Sequence, residues 1–261
     1  MNKQKYNISD FNDEQLKEIY MGKLQHLDTD YYFNPNFSEK QMRQIRLGLE
    51  DNVDVSVYAR PEFTPEQMNQ IYLGLLGMVD VNVFANPEFN KDQMVQIRLG
   101  LEEKLDVSIY AKTEFNAWQM EELRIALYNK VDTSLFATPE YNYKQMSQIF
   151  QGLFHGLDVS WYAKPEFDCW QMLYIRLGLE EELDVSWYAN PVFYDEQITQ
   201  IIEGLRKKLD VSLYARPEFN DRQMQEIRLG LKHGIDVSPY LNPSIKCEEM
   251  ERIRLELERN K

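Results

Sequence analysis

The sequence predicts an all-α fold, an α-solenoid (superhelix) of ten helical-hairpin repeats with the general architecture of tetratricopeptide arrays. Three observations predict it. The 261-residue chain repeats itself every 26 residues, most copies open with a helix-capping pattern followed by apolar residues at helical spacing, and most copies close with an Asp-led segment that ends at a proline.

The start of each repeat is marked by an aromatic or apolar residue. These residues are Phe11, Phe37, Phe63, Phe89, Phe115, Tyr141, Phe167, Phe193, Phe219 and Ile245. Numbering each repeat from this residue defines positions 1 to 26. Because no insertion or deletion breaks the register, we predict a single array over residues 1–261, with residues 1–10 as an N-terminal cap and residues 245–261 as a C-terminal capping helix.

The first half of each repeat carries the signals of an amphipathic α-helix. Ser38 at position 2 and Gln41 at position 5 have the spacing of a capping box, and most repeats keep this pattern. Apolar residues at positions 6, 9, 13 and 17 then trace one helix face, which position 11 widens. Gly156 and Gly234 at position 16 are expected to end their helices in a left-handed conformation, and the other residues found there predict a variable cap.

Glycine also recurs inside this helix. Eight of the eleven glycines occupy position 12, from Gly22 to Gly230. A mid-helix glycine costs about 1 kcal/mol relative to alanine, so its repetition requires a reason. We expect the neighbouring helix to approach too closely for a side chain, and Ala126, which replaces the glycine in repeat 5, fits that account.

The second half of each repeat begins with an aspartate at position 18. The nine copies are Asp28, Asp54, Asp80, Asp106, Asp132, Asp158, Asp184, Asp210 and Asp236. An aspartate followed by Val-Ser-x-Tyr-Ala suits the N-cap of a short second helix of about two turns, which the x-Pro-Glu segment ends. Because these aspartates recur with the same neighbours, we interpret them as caps and not as catalytic carboxylates.

Composition and charge exclude several classes of protein. Hydrophobic residues make up 43% of the chain, which excludes disorder, and no apolar run is long enough to span a membrane. The start, MNKQKYNISDFNDEQ, lacks the apolar region of a secretory signal, and two cysteines cannot form a disulfide framework. The net charge of −14 disfavours direct binding of nucleic acid or anionic membranes, and leaves a local basic stripe as the alternative. We therefore expect a cytoplasmic protein with no membrane attachment.

No pattern of catalytic or cofactor-binding residues is present. The sequence has no phosphate-binding glycine loop, no His-Glu-x-x-His zinc motif and no Gly-x-Ser-x-Gly nucleophile motif. The histidines His26, His155 and His233 lie in separate repeats, and Cys169 and Cys247, which share position 3, are expected to be free thiols. We therefore predict no enzyme activity, no cofactor and no metal site.

Arginine recurs at position 10 of the first helix. Arg46, Arg98, Arg176 and Arg254 each have a glutamate four residues later. A helix-surface ion pair explains this spacing. The alternative is a row of arginines along one groove that grips phosphates or an acidic peptide, although Tyr20, Tyr72, Phe150 and Ile202 interrupt the row.

Function is expected where the repeats differ, because shared positions build the scaffold. Trp118 and Trp170 stand at position 4, which is charged in most other repeats, and we predict that they contact a partner protein or peptide. Four further aromatic substitutions complete the predicted partner-binding set: Tyr143, Phe150, Phe154 and Tyr174. Local repacking between adjacent repeats is the alternative. Trp161 and Trp187 at position 21 are interpreted as core residues, since apolar residues recur there.

The unit QMxQIRLGLExxLDVSxYAxPEF resembles a repeat of uncharacterised proteins carried on mobile elements of Gram-positive bacteria, sometimes beside anti-restriction genes. The resemblance covers nearly the whole chain, with departures concentrated in repeats 1, 5, 6 and 10. It implies a helical repeat scaffold and a role in bacterial defence or its evasion. It supplies no catalytic residues.

Two functions therefore fit the sequence. The first is a non-enzymatic scaffold that binds a protein or peptide. The second is an acidic decoy that imitates DNA and blocks a nucleic-acid-binding enzyme, in line with the net charge of −14. Fifteen of the 43 acidic residues belong to the repeat pattern itself, so the charge argument is weakened and the scaffold is favoured.

Overall fold

The computed structural model of the chain describes residues 6–260. Its α-helices are α1 Asp13–Leu24, α2 Glu39–Glu50, α3 Pro65–Leu76, α4 Lys91–Glu102, α5 Ala117–Tyr128, α6 Tyr143–Phe154, α7 Cys169–Glu180, α8 Asp195–Arg206, α9 Asp221–Lys232 and α10 Cys247–Arg259. Three-residue 3-10 helices lie at Ile8–Asp10, Thr29–Tyr31, Val55–Val57, Val81–Val83, Val107–Ile109, Val159–Trp161, Val185–Trp187, Val211–Leu213 and Ser238–Tyr240. Residues 6–260 contain no β-strand, so the predicted all-α class is confirmed.

The chain divides into two compact units within repeat 5. The N-terminal unit extends to Lys130 and the C-terminal unit begins at Val131. Within each unit every α-helix packs against the next one along the chain, from α1 to α5 and from α6 to α10. This successive packing is that of an α-solenoid, as predicted. That all ten repeats form one array stays a prediction.

The predicted capping boxes are present, and their glutamines also join successive repeats. In repeat 2 the backbone N–H of Gln41 donates to the Ser38 hydroxyl, and the backbone N–H of Ser38 donates to the side-chain oxygen of Gln41 at 2.7 Å. The Nε2 group of Gln41 then donates to the carbonyl oxygens of Pro61 and Phe63, where repeat 3 begins. In eight repeats a buried glutamine amide thus holds the repeat to the start of the next one in the same unit.

The position-12 glycines make room for a tyrosine. In seven repeats position 22 is a fully buried tyrosine; Tyr110, for example, donates its hydroxyl to the carbonyl oxygen of Gln96 at 3.2 Å. A β-carbon on Gly100 would overlap the Tyr110 hydroxyl and lie 2.8 Å from Cγ1 of Val107. The predicted close approach is confirmed, but the group that approaches belongs to the same repeat and not to a neighbouring helix.

The position-18 aspartates cap a segment shorter than predicted. Each of the nine accepts a hydrogen bond from the amide N–H two residues later, as Asp106 does from Ser108 at 3.1 Å. The expected second helix of two turns is a single 3-10 turn of three residues in eight repeats, and residues 134–136 form only a turn in repeat 5. The turn ends early because the position-22 side chain must enter the core beside the glycine.

The helix C-terminus is uniform and not variable as predicted. Position 16 has a positive φ in repeats 1 to 9, from 54° at Met78 to 72° at Gly156, although only two of these nine residues are glycine. The amide N–H of Val79 donates to the carbonyl oxygen of Gly74 at 3.0 Å, and that of Met78 donates to Leu75 at 3.1 Å. This is the Schellman pattern, which requires a left-handed residue whatever its side chain.

Met78→Gly is expected to raise the free energy of unfolding by about 1 kcal/mol, because only glycine adopts this conformation without a steric cost. The Met78 side chain is 91% exposed, so little packing is lost. Urea unfolding followed by circular dichroism at 222 nm measures the change. Met78→Ala is the control, because it removes the same side chain without relieving the backbone. An equal gain from alanine would contradict the explanation.

Candidate partner-binding site

One face of the helices is lined by the same five repeat positions. In the N-terminal unit an open groove of about 600 Å³ lies on α2, α3 and the first residue of α4. Its lining residues are Lys40, Arg43, Gln44, Leu47, Pro65, Glu66, Asn69, Gln70 and Lys91, which occupy positions 3, 4, 7, 8 and 11. We call these the groove positions. None of the nine side chains is buried, so this face is free to vary between repeats.

Helix α7 of the C-terminal unit carries four apolar side chains at groove positions. Trp170 is 55% exposed, and Leu173, Tyr174 and Leu177 are half-buried. Their spacing of three and four residues places them in one stripe along the helix. The same positions are polar on both flanking helices: Lys144, Ser147, Gln148 and Gln151 on α6, and Glu196, Thr199, Gln200 and Glu203 on α8. We call the four α7 residues the α7 stripe.

The structure brings together only part of the predicted partner-binding set. Trp170 and Tyr174 lie one turn apart in the α7 stripe. Trp118 also occupies a groove position and is 63% exposed, but it belongs to the N-terminal unit. Half-buried Tyr143 stands at position 3 of α6, where Lys144 Nζ lies 6.0 Å from its ring centre. The two tryptophans at position 4 are thus on the surface, as predicted, while their role stays a prediction.

Phe150 and Phe154 form a separate pair. They occupy positions 10 and 14, which in four other repeats hold an arginine and a glutamate, and these positions do not line the groove. Their ring centres lie 5.8 Å apart in a tilted arrangement, and Phe154 contacts His155 edge to face at 5.6 Å. An aromatic pair therefore replaces the ion pair in repeat 6.

Sequence reasoning missed Leu173 and Leu177. Position 7 is polar or charged in most repeats, so Leu173 carried a signal that could have been found. Leu177 carried none, because leucine is the usual residue at position 11 and was assigned to the buried face. In the structure position 11 lines the groove, half-buried.

Carboxylates border the α7 stripe at its N-terminal end. Asp168 caps α7 by accepting from the amide groups of Trp170 and Gln171 at 2.7 and 2.9 Å. Asp195, at the start of α8, has its pKa raised above its ordinary value by burial and then by the negative charges of Asp168 and Glu196. An apolar partner that also carries positive charge would relieve this repulsion.

The position-10 arginines hold adjacent repeats together. Arg98 Nε donates to Gln70 Oε1 of the preceding repeat at 3.1 Å, and its Nη1 group pairs with Glu102 at 2.6 Å. Six arginines bond in this way to position 8 of the repeat before them: Arg46, Arg98, Arg124, Arg176, Arg228 and Arg254. The ion-pair interpretation is confirmed. The alternative of a ligand-gripping row would need guanidinium groups that already bond to neighbouring side chains.

Two of the junctions that lie within a single unit lack this arginine. Tyr72 replaces it in repeat 3 and hydrogen-bonds to Asp51, and the buried Oε1 atom of Gln44 has no hydrogen-bond partner among residues 6–260. In repeat 8 the buried Ile202 replaces it, and the corresponding position-8 residue is Tyr174. In the N-terminal unit the missing arginine thus leaves a side-chain amide oxygen unpaired. In the C-terminal unit the missing arginine occurs opposite Tyr174 of the α7 stripe.

The interpretation of Trp161 and Trp187 as core residues is wrong. Each is 37% exposed and ends a 3-10 helix. Position 21 is half-buried or exposed in repeats 1 to 8, so its apolar character does not indicate burial.

The remaining candidate residues form no reactive cluster in the part of the chain described. Cys169 and Cys247 are free thiols, as predicted. His155 and His233 approach Glu180 and Glu258 at 3.5 and 2.7 Å, and within residues 6–260 no three His, Cys, Asp or Glu side chains are grouped to hold a metal ion. Within the same range, every helix is too short or too polar to cross a membrane.

Comparison with known proteins does not assign the chain to a family. No family model matches it, and no curated protein or solved structure matches it either. Function is therefore inferred from the geometry of the chain's own residues.

Proposed function

We propose that this protein is a non-enzymatic scaffold that binds a protein or peptide partner through the α7 stripe. The observation that carries the proposal is the stripe itself: one exposed and three half-buried apolar side chains stand at groove positions that are polar on both flanking helices. Surface patches of this kind, with a large aromatic residue at the edge of a smaller apolar set, are typical of interface anchors. A role in bacterial defence or its evasion remains part of the proposal, on the resemblance of the repeat alone.

The α7 stripe can be removed with residues that the repeat already accepts. Trp170→Glu, Leu173→Thr and Tyr174→Gln place on α7 the side chains found at the same positions of α8. The variant is therefore expected to keep its helical circular dichroism spectrum. The matched control is Trp161→Leu with Trp187→Leu, which removes two exposed tryptophans but copies Leu213 of repeat 8.

Affinity capture from native host lysate tests the proposal at low and high salt. We expect a partner that the wild type and the control retain in high salt and that the α7 variant loses, because apolar contacts are insensitive to screening. A partner that is indifferent to all three substitutions, released by salt and displaced by DNA would instead support the acidic decoy. That result would contradict the scaffold proposal.

A further inference from the structure

The groove of the N-terminal unit differs chemically from the α7 stripe. Lys40, Arg43 and Lys91 line it, and Glu66 is the one carboxylate among its lining residues. In a chain with a net charge of −14, this is a local excess of positive charge. The apolar surface of Leu47 and Pro65 lies in the same groove.

These cations are available to a ligand. Neither Lys40 nor Arg43 forms an ion pair within the described part of the chain, and Lys91 has only an exposed contact of 3.8 Å with Asp92. The position-10 arginines behave differently, since Arg98 and its equivalents are bonded to neighbouring side chains. The lysines and arginine of the groove therefore have no role in joining the repeats.

The groove wall also contains one buried amide oxygen that has no hydrogen-bond partner among residues 6–260. Gln44 Oε1 lacks a hydrogen-bond partner among residues 6–260 because Tyr72 stands in place of the arginine that would donate to it. Side-chain amides can bond to the N–H and C=O groups of a peptide backbone. The groove thus combines positive charge, an amide and apolar surface.

The short length of the basic surface favours a short acidic ligand over a nucleic acid. On the side of α1 the groove positions carry the acids Asp13, Glu14 and Glu18 with one lysine, Lys17, and on α5 they carry Glu121 and Glu122. A nucleic acid backbone would extend into these carboxylates, whereas a short acidic segment ends before them. Val95 and Leu99 at groove positions of α4 continue the apolar surface beyond the cations.

We propose that the groove on α2, α3 and the start of α4 binds an acidic peptide segment of a partner protein, with its carboxylates paired to Lys40, Arg43 and Lys91. Apolar residues that follow the acidic segment would pack on Leu47 and Pro65 and on Val95 and Leu99 of α4. The groove shares no residue with the α7 stripe, so either proposal can fail alone.

Fluorescence anisotropy tests this site with three labelled probes: a 12-residue peptide of Glu, Asp and Leu, its counterpart with Gln and Asn, and a 12-nucleotide thymidine oligonucleotide. The buffer holds about 150 mM salt, where the Debye length of about 8 Å screens the overall negative charge but not direct contacts. We expect saturable binding of the acidic peptide alone.

The variant Lys40→Glu with Arg43→Glu is expected to weaken binding of the acidic peptide by about tenfold or more. It copies Glu66 at position 4 and Glu121 at position 7, so the helix tolerates both changes. The matched control, Lys207→Glu with Lys208→Glu, copies Glu181 and Glu182, changes the net charge equally and lies outside the groove. It is expected to change the affinity less than about twofold.

Lys91→Ala, which copies Ala117, gives an independent test that keeps the α2 helix unchanged. It is expected to weaken binding by several fold. Absence of saturable binding to the wild type, equal loss from the groove and control variants, or competition by the oligonucleotide would each overturn the proposal. Trp170→Glu should leave the acidic peptide bound, which separates this result from that of the α7 stripe.

Discussion

Gly100→Ala is expected to destabilise the protein by about 3 kcal/mol, although alanine is the better helix former by about 1 kcal/mol. The new β-carbon would occupy the place of the Tyr110 hydroxyl and crowd Cγ1 of Val107 at 2.8 Å. Because the tyrosine is fully buried, it cannot move aside without losing both its packing and its 3.2 Å bond to Gln96. The steric cost therefore exceeds the gain in helix propensity. Thermal and urea unfolding, followed by circular dichroism, measure the loss.

A second substitution tests the cause. Tyr110→Phe alone is expected to cost about 1 kcal/mol through the lost hydrogen bond. The double variant, Gly100→Ala with Tyr110→Phe, should be more stable than Gly100→Ala alone. Repeat 5 already carries this combination, as Ala126 with Phe136. Two destabilising changes would then compensate each other. Simple addition of the two losses would show that the hydroxyl is not the obstacle.

The same pair of positions shows how far the sequence predicts the fold. Periodicity located the helices, because capping residues and apolar spacing act within a few residues of one another. It also predicted a close approach at position 12, but not the group that approaches. Only repeat 5 contained that information, since Ala126 and Phe136 depart from the pattern together. A contact across ten residues is visible in sequence only through such paired exceptions.

The candidate sites were predictable to a smaller extent. Position 4 was recognised as a surface position, and Trp118 and Trp170 are exposed. Position 11 was assigned to the buried face, because a leucine that lines a groove has the same helical spacing as one in the core. The groove itself was not predicted, because Lys40 and Arg43 of α2 meet Lys91 of α4 only through packing. Charge counted over the whole chain concealed this local basic surface.

Alkaline pH is expected to unfold the protein cooperatively between about pH 10 and 12. Burial raises the pKa of Tyr32 and Tyr240 from the ordinary value of 10.0 to about 12. Burial also raises the pKa of five equivalent tyrosines: Tyr58, Tyr110, Tyr162, Tyr188 and Tyr214. All seven occupy position 22. A single physical cause therefore acts in seven of the repeats.

The direction of the effect follows from the two states. Below pH 10 these tyrosines are protonated whether the chain is folded or unfolded, so their full stabilisation is present. As the pH rises from 10 towards 12, the unfolded chain loses the protons while the folded chain retains them, and stability falls by about 3 kcal/mol for each tyrosine whose pKa differs by two units. The arginine pairs between repeats do not titrate in this range. Ionisation of the tyrosine hydroxyl groups therefore dominates the loss of stability between about pH 10 and 12.

Absorbance at 295 nm reports tyrosinate, and circular dichroism at 222 nm reports helix. We expect the last part of the absorbance rise to coincide with the loss of helix, because the buried hydroxyls ionise only on unfolding. Tyr58→Phe, which copies Phe84 of repeat 3, should be less stable than the wild type by about 1 kcal/mol near pH 7 but should lose less stability at pH 11. Complete ionisation with the helical signal intact at pH 12 would show that the hydroxyls are accessible and that position 22 does not seal the core.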